Sequence, residues 1–324
     1  MPSLKEIKGR IASVNSTRKI TSAMKMVASS KLHHAQMAIQ NMLPYENMLE
    51  HILKAFLAAE VDASTVYDQE RPVKRVALVV FSSNSSLCGG FNSNVIKVMQ
   101  RAVESLTAEL GEGSVEIYPI GRKVAEKAKK LGYSVQGDYA DLVDHPNVRQ
   151  CIDLAMLLAE KFERGEVDRV ELIYHHFKSA GSQILTRKTL LPIDVESELE
   201  RDHERDLTSN VVTKQAQDYL KKKERRRKKV DNDGNEVEPL NDNFIVEPDM
   251  HSVLLQLLPK YGHLMIYTAL LDSVASEHAA RMVAMQTATD NADELLRQLN
   301  LQYNKSRQQA ITSELLDIVG GSAN

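Results

Sequence analysis

SEHAARMVAMQTATDNA, residues Ser276–Ala292, decides the fold. Small and apolar residues stand all round a helix drawn through it, the pattern of a helix buried on most of its sides. Working outward, no Gly or Pro interrupts the chain between Gly262 and Gly320. Leu271, Ala275, Met282, Met285, Ala292, Leu296, Leu299, Tyr303 and Ala310 follow alternating steps of three and four, and His278, Thr289 and Ser306 fall on the same line. That 3.5-residue period is the signature of coiled-coil packing. Gly320 and Gly321 terminate it. The spacing predicts a helix of roughly 60 residues, about 85 Å long at 1.5 Å per residue.

The other end of the chain mirrors this. Ser3 is the expected N-cap, with Glu6 completing a capping box. Leu4, Ile7, Ile11 and Val14 open a seam that resumes at Ala28, Leu32, Ala35, Ile39, Met42, Leu49, Leu53 and Phe56. Between Val14 and Ala28 the apolar phase slips. Arg18, Thr21 and Lys25 hold the seam's positions while Thr17, Ile20, Met24 and Val27 carry an offset one, which should rotate the apolar face locally. Pro44 is expected to kink or interrupt the helix. Globular helices average about 11–12 residues, so two of such length most economically pair as an antiparallel coiled coil. Their seams are rich in Ala, Ser, Thr and Met, which points to a slender shaft whose outer face is also surrounded by protein.

The middle reads differently. VKRVALVVF (Val73–Phe81) is a buried-strand signal, followed by the loop SSNSSLCGG and a helix with Asn92 as its expected N-cap. VEIYPI (Val115–Ile120) is a second strand, RKVAEKAKKLG a helix closed by Gly132, and HPNVRQCIDLAMLLAEKFERG a longer helix. RVELIYHHF (Arg169–Phe177) and SQILTRKTLLPI (Ser182–Ile193) are two closing strands. Alternating strands and helices argue an α/β, Rossmann-like domain with a largely parallel sheet. The expected layout is therefore an N-terminal helix over 1–60, an α/β domain over 71–197, a charged insertion over 198–246 and a C-terminal helix over 247–324. The insertion carries KKKERRRKK (Lys221–Lys229) and then an acidic tract, with one helix expected from Asn210 to Lys229. The basic run has a nucleic-acid reading, but the acidic tract beside it argues a self-compensated, solvated arm.

Composition narrows the function. Forty-one Lys and Arg against 44 Asp and Glu give a net charge of −3, which argues against a binder of nucleic acid held by bulk charge. Two cysteines, Cys88 and Cys151, suit a reducing compartment. No apolar run is long enough to span a membrane, and the N-terminal segment does not read as a secretory signal. The sequence has no P-loop, no dinucleotide fingerprint, no H-E-x-x-H and no C-x-x-C. The adjacent pairs His33–His34 and His175–His176 do not converge on a metal. No cofactor is expected. One feature looks catalytic: Cys88 sits in a Gly-rich turn between a strand and a helix, where an acyl-transfer nucleophile with His175 or His176 as base could stand. The structural alternative is a small buried residue in a turn shaped by Gly89 and Gly90.

KITSAMKMVASSKL (Lys19–Leu32), LCGGFN (Leu87–Asn92), SEHAARMVAMQTATDNA and LQYNKSRQQAITSELLDIVGGSA (Leu301–Ala323) together resemble the gamma subunit of F-type ATP synthase, in its bacterial type with a cysteine-free insertion. The resemblance covers both ends and the centre of the chain. It implies a rotating, non-catalytic central stalk inside a ring of alpha and beta subunits, with a foot against the epsilon subunit and the membrane c ring, on the cytoplasmic face of a bacterial membrane. Met24, Arg281, Arg307, Gln308, Thr312 and Glu314 are then the expected contacts to the alpha/beta ring. Ile311, Leu315, Leu316, Ile318 and Val319 are expected to form the rotor tip, and Glu247, Pro248 and Asp249 to lie near the c ring. Three departures stand out. Ser85–Ser86 replace the usual charge before LCGG, Ser322 replaces Ala, and the insertion lacks the cysteine pair of photosynthetic relatives, which argues against a thiol switch. A non-catalytic coiled-coil adaptor with an α/β head, or a Cys88-dependent acyl-transfer enzyme, are the alternatives.

Overall fold

The computed structural model describes residues 3–58, 67, 71–193, 245–247 and 249–321. The expected helix from Asn210 to Lys229, and the charged tract around it, lie outside the described residues. The chain divides into two compact units, one of Met1–Ser30 with Arg281–Asn324 and one of Lys31–Ala280.

Two long helices bound the chain: α1, Leu4–Ala58, and α6, Met250–Gly321. Ser3 opens α1 as the sequence predicts, its Oγ accepting the Glu6 amide at 3.2 Å. Pro44 lies inside α1 without interrupting it. The ring stands on the exposed side of the helix, so the carbonyl it deprives of a partner is within reach of water. α6 begins at Met250, inside the expected C-terminal helix over 247–324 and ahead of the uninterrupted stretch that follows Gly262, and carries Pro259 within it. Asp249 explains where it starts. Its carboxylate accepts the Ser252 amide at 2.8 Å and the Ser252 hydroxyl at 2.7 Å, which is an N-cap.

In the unit of Lys31–Ala280, five strands form one sheet in the order β3-β2-β1-β4-β5. They are β1 Val76–Phe81, β2 Val115–Ile120, β3 Ser134–Val135, β4 Arg169–Ser179 and β5 Ser182–Leu191. β1 runs parallel to β2 and β4, β2 parallel to β3, and β5 closes antiparallel on β4. The helices between them are α2 Phe91–Leu110, α3 Arg122–Lys130, α4 Asp141–Asp144 and α5 Val148–Glu163. Every residue of β1 is buried, as a strand covered on both faces requires. On one face Val76, Leu78, Val80 and Ile173 pack against Val95, Met99 and Leu106 of α2 and Val124 of α3. The turn from β2 into α3 demands Gly121. Its φ is +107°, and a Cβ there would meet the Ser82 carbonyl oxygen at 2.3 Å.

The predicted strands and helices of this domain are present, with two corrections. Gly90, not Asn92, is the N-cap of α2. Asn92 lies inside the helix and instead accepts the Ser83 amide on its side-chain oxygen at 3.0 Å, tying the loop after β1 to the helix start. β3 and α4 have no counterpart in the sequence reading, because two and four residues are too short to show a period.

Candidate coupling surface

In the unit of Met1–Ser30 and Arg281–Asn324, two polar contacts fix how the helices pair. The Arg18 guanidinium lies 2.9 Å from the Asp293 carboxylate, and the hydroxyls of Thr21 and Thr289 are 2.8 Å apart. Moving up α1 from Arg18 to Thr21 moves down α6 from Asp293 to Thr289. The pair is antiparallel.

Burial follows the heptad phase without a break. On α1, Ile7, Thr21 and Ala28 are buried, and Ile11, Val14, Arg18 and Lys25 half-buried. On α6, Met285, Ala292 and Leu299 are buried, and Met282, Thr289, Leu296, Tyr303, Ser306 and Ala310 half-buried. The expected rotation of the apolar face between Val14 and Ala28 is therefore absent. The packed line keeps Arg18, Thr21 and Lys25, and polar pairs across the seam satisfy the first two. The offset apolar set lies outside: Ile20 is 57%, Met24 41% and Val27 57% exposed. A helix of an ordinary soluble protein directs such residues inward. Here they form an apolar stripe beside the seam, and this is the mark of an interaction surface; Met26 is exposed on another face of the helix.

Among the expected contact residues, Met24 belongs to that stripe. Arg281 is half-buried, and Arg307, Gln308, Thr312 and Glu314 are exposed on α6. The Thr312 hydroxyl donates back to the Gln308 carbonyl at 2.9 Å. In the register of the two polar pairs Leu4, the first residue of α1, falls near Arg307, so α6 continues past its partner. Ile311, Leu315 and Leu316 of the expected tip are accordingly exposed. Ile318 and Val319 lie in α6, but their side chains are outside the described residues. In the other unit, Glu247 and Asp249 are exposed. The hydrogen bonds from the Ser252 amide and hydroxyl hold the Asp249 carboxyl below its ordinary pKa. Its capping role is one that the sequence reading missed, although an Asp followed three residues on by Ser carries the signal.

The Cys88 alternative fails on geometry. Cys88 is 2% exposed, with its Sγ 3.2 Å from the Asn92 amide nitrogen. His175 stacks on Phe91 with 4.4 Å between ring centres, and burial pulls its pKa down to about 4. His176 is engaged by Asp272 at 2.7 Å. Among the described residues no hydrogen bond joins Cys88 to either histidine, so a base for the thiol is not in place.

The ATP synthase family model matches residues 3–324. The chain belongs to the ATP synthase gamma family. It is similar to the ATP synthase gamma chain of Phocaeicola vulgatus, with 50% identity over 322 residues and 99% of both chains covered. The gamma chain of Bacteroides fragilis is 51% identical over the same length, again covering 99% of each. Its fold resembles that of a chain of the Euglena gracilis mitochondrial ATP synthase, with TM-score 0.59, 19% identity, and 99% and 93% of the two chains covered. As a member of the gamma family, this chain is a non-catalytic stalk subunit of ATP synthase, with a rotary role, and the catalytic sites lie on beta. Among the described residues no helix is long and apolar enough to cross a membrane.

Proposed function

We propose that the antiparallel helices turn inside a ring of alpha and beta subunits and that the outer surface of the pair biases each beta site in turn. One observation carries this reading: the seam takes polar residues inward and leaves Ile20, Met24, Met26 and Val27 outside. An isolated rod would be arranged the other way round. The exposed end of α6 at Ile311, Leu315 and Leu316 acts as the bearing, because apolar contact names no partner atom and lets a surface turn.

Driving a two-state beta site from one population to the other takes about 5.5 kcal/mol of differential interaction. Exposed ion pairs of about 0–1 kcal/mol each are too weak singly. Met24, Arg281, Arg307, Gln308, Thr312 and Glu314 therefore act as a set of contacts that are desolvated only in the ring. The foot, with Glu247 and Asp249, meets the epsilon subunit and the c ring, and the complex stands on the cytoplasmic face of a bacterial membrane. The test is to assemble the chain with alpha, beta, epsilon and c subunits in vesicles and measure ATP-driven proton pumping. Substituting Arg281, Arg307 and Gln308 together by Ala should leave assembly intact and cut pumping. Unchanged pumping would show that the coupling lies elsewhere.

A further inference from the structure

From Ala269 to Ala279, helix α6 is buried on nearly every side. Ala269, Leu270, Leu271, Val274, Ala275 and Ala279 supply apolar contact, which opposes separation but selects no partner atom. Such packing holds the helix by shape. Two directional contacts add a fixed angular register, and both go to consecutive residues of β4. Asp272, 1% exposed, has a carboxylate oxygen 2.7 Å from Nδ1 of His176. One turn further on, the buried Ser276 hydroxyl donates to the His175 carbonyl at 3.2 Å. A carboxylate only accepts, so Nδ1 carries the proton and the bond is charge-assisted whether the ring is neutral or charged. β4 is a suitable anchor: it lies between β1 and β5 and is bonded to both.

We propose that His176, Asp272 and Ser276 form a torque clamp. They are positioning residues that fix the rotational setting of α6 on the sheet, so that turning of the α/β fold reaches the helix without slip. The proposal rests on the rotary reading above.

The test uses the full synthase in vesicles, with wild-type chain or with Asp272→Ala, Asp272→Asn, Ser276→Ala, His176→Lys or Leu271→Ala. Protons pumped per ATP hydrolysed and amide hydrogen exchange over 269–277 are read in the assembled complex. Removing one partner of this buried, charge-assisted hydrogen bond should raise the locally open population, and with it the exchange, on the order of 10- to 100-fold, and lower pumping per ATP at least about twofold while hydrolysis continues. His176→Lys keeps a cation facing Asp272 and should hold the wild-type ratio. Leu271→Ala removes apolar contact from the same seam; it should cost thermal stability and leave the ratio alone. If Asp272→Ala does not assemble, Asp272→Asn and Ser276→Ala answer the same question with smaller changes. A wild-type ratio in the clamp variants overturns the proposal. So does an equal loss of ratio in Leu271→Ala, which would make general stability the cause. Failure of the wild-type complex to pump at all brings down the rotary reading, and the clamp with it.

Discussion

Replacing Asp168 by Asn tests an electrostatic suture of the α/β fold. Asp168 is buried at the start of β4, and its Oδ2 accepts the amides of Lys74 at 2.8 Å and Arg75 at 2.9 Å. Its Oδ1 lies 2.8 Å from Arg71 Nε. The Arg71 guanidinium also donates to the carbonyls of Phe162 and Val167 and stacks 4.3 Å above the Phe162 ring. One carboxylate thus ties the chain entering β1 to the start of β4 and the end of α5. An amide of the same shape keeps the oxygen that receives the two backbone bonds but turns a donor toward Arg71. Breaking a buried charged pair from one side costs about 3–5 kcal/mol. Arg71 keeps 28% of its side chain exposed, and solvent screening reduces the expected loss to about 2–3 kcal/mol. At about 2–4 °C per kcal/mol the melting temperature should fall by about 5–10 °C. The pH dependence supplies a second readout. Burial raises the carboxyl's pKa, but the two amide bonds and Arg71 together outweigh it, and the net value lies below the ordinary 3.8. The pair's contribution is complete above the unfolded value and is lost as pH falls through the lower folded one. Thermal unfolding of the purified chain should therefore show a gap between wild type and Asp168→Asn that is constant near neutrality and closes below about pH 4. A gap under about 0.5 kcal/mol at neutral pH, or one that persists unchanged in acid, would refute the reasoning.

Three further outcomes are expected. Met24→Lys, on the exposed stripe, should change the stability of the isolated chain by no more than about 0.5 kcal/mol. In the ring its cation must find a carboxylate or remain desolvated, so pumping per ATP should fall with assembly intact; normal pumping would count against this placement of Met24. Thr21→Val should cost about 1 kcal/mol in chemical denaturation by removing the cross-seam partner of the Thr289 hydroxyl, which keeps only the Met285 carbonyl of its own helix, and adding Thr289→Val should recover part of that loss. A double variant that is simply additive would mean that the two hydroxyls do not interact. The basic block of the insertion beside its acidic tract is expected to brake hydrolysis by steric or charge contact with the foot or the beta subunits, so deleting Arg205 to Asn243 should raise ATP hydrolysis by the assembled soluble complex; an unchanged rate removes the brake.

The fold was legible where residue type and burial coincide. The line from Leu271 to Ala310 is buried or half-buried as its spacing predicts, because its apolar and small residues recur on one face of the helix. The sheet was equally plain in VALVVF and VEIYPI, whose β-branched runs have no helical period. Reading failed where hydrophobicity was taken for burial. Ile20, Met24 and Val27 looked like a displaced seam but are the outer surface, while Thr21 packs inward against Thr289 and the part-exposed Arg18 reaches across to Asp293. The start of α6 near 247 was expected, and the Asp249 cap supplies its physical cause. The contact residues proposed for the shaft carry no local chemistry of their own. Arg307, Gln308 and Glu314 look like any solvated helix face, and only the family motif distinguishes them.

The outward apolar stripe has a consequence for the life of the molecule before it is installed. Ile20, Met24, Met26, Val27, Leu315 and Leu316 present adhesive surface to water in any copy that lacks its companions. Such an orphan invites clumping and degradation. Its synthesis should therefore be matched in number to that of the subunits that enclose it, and surplus chain should be short-lived in the cell.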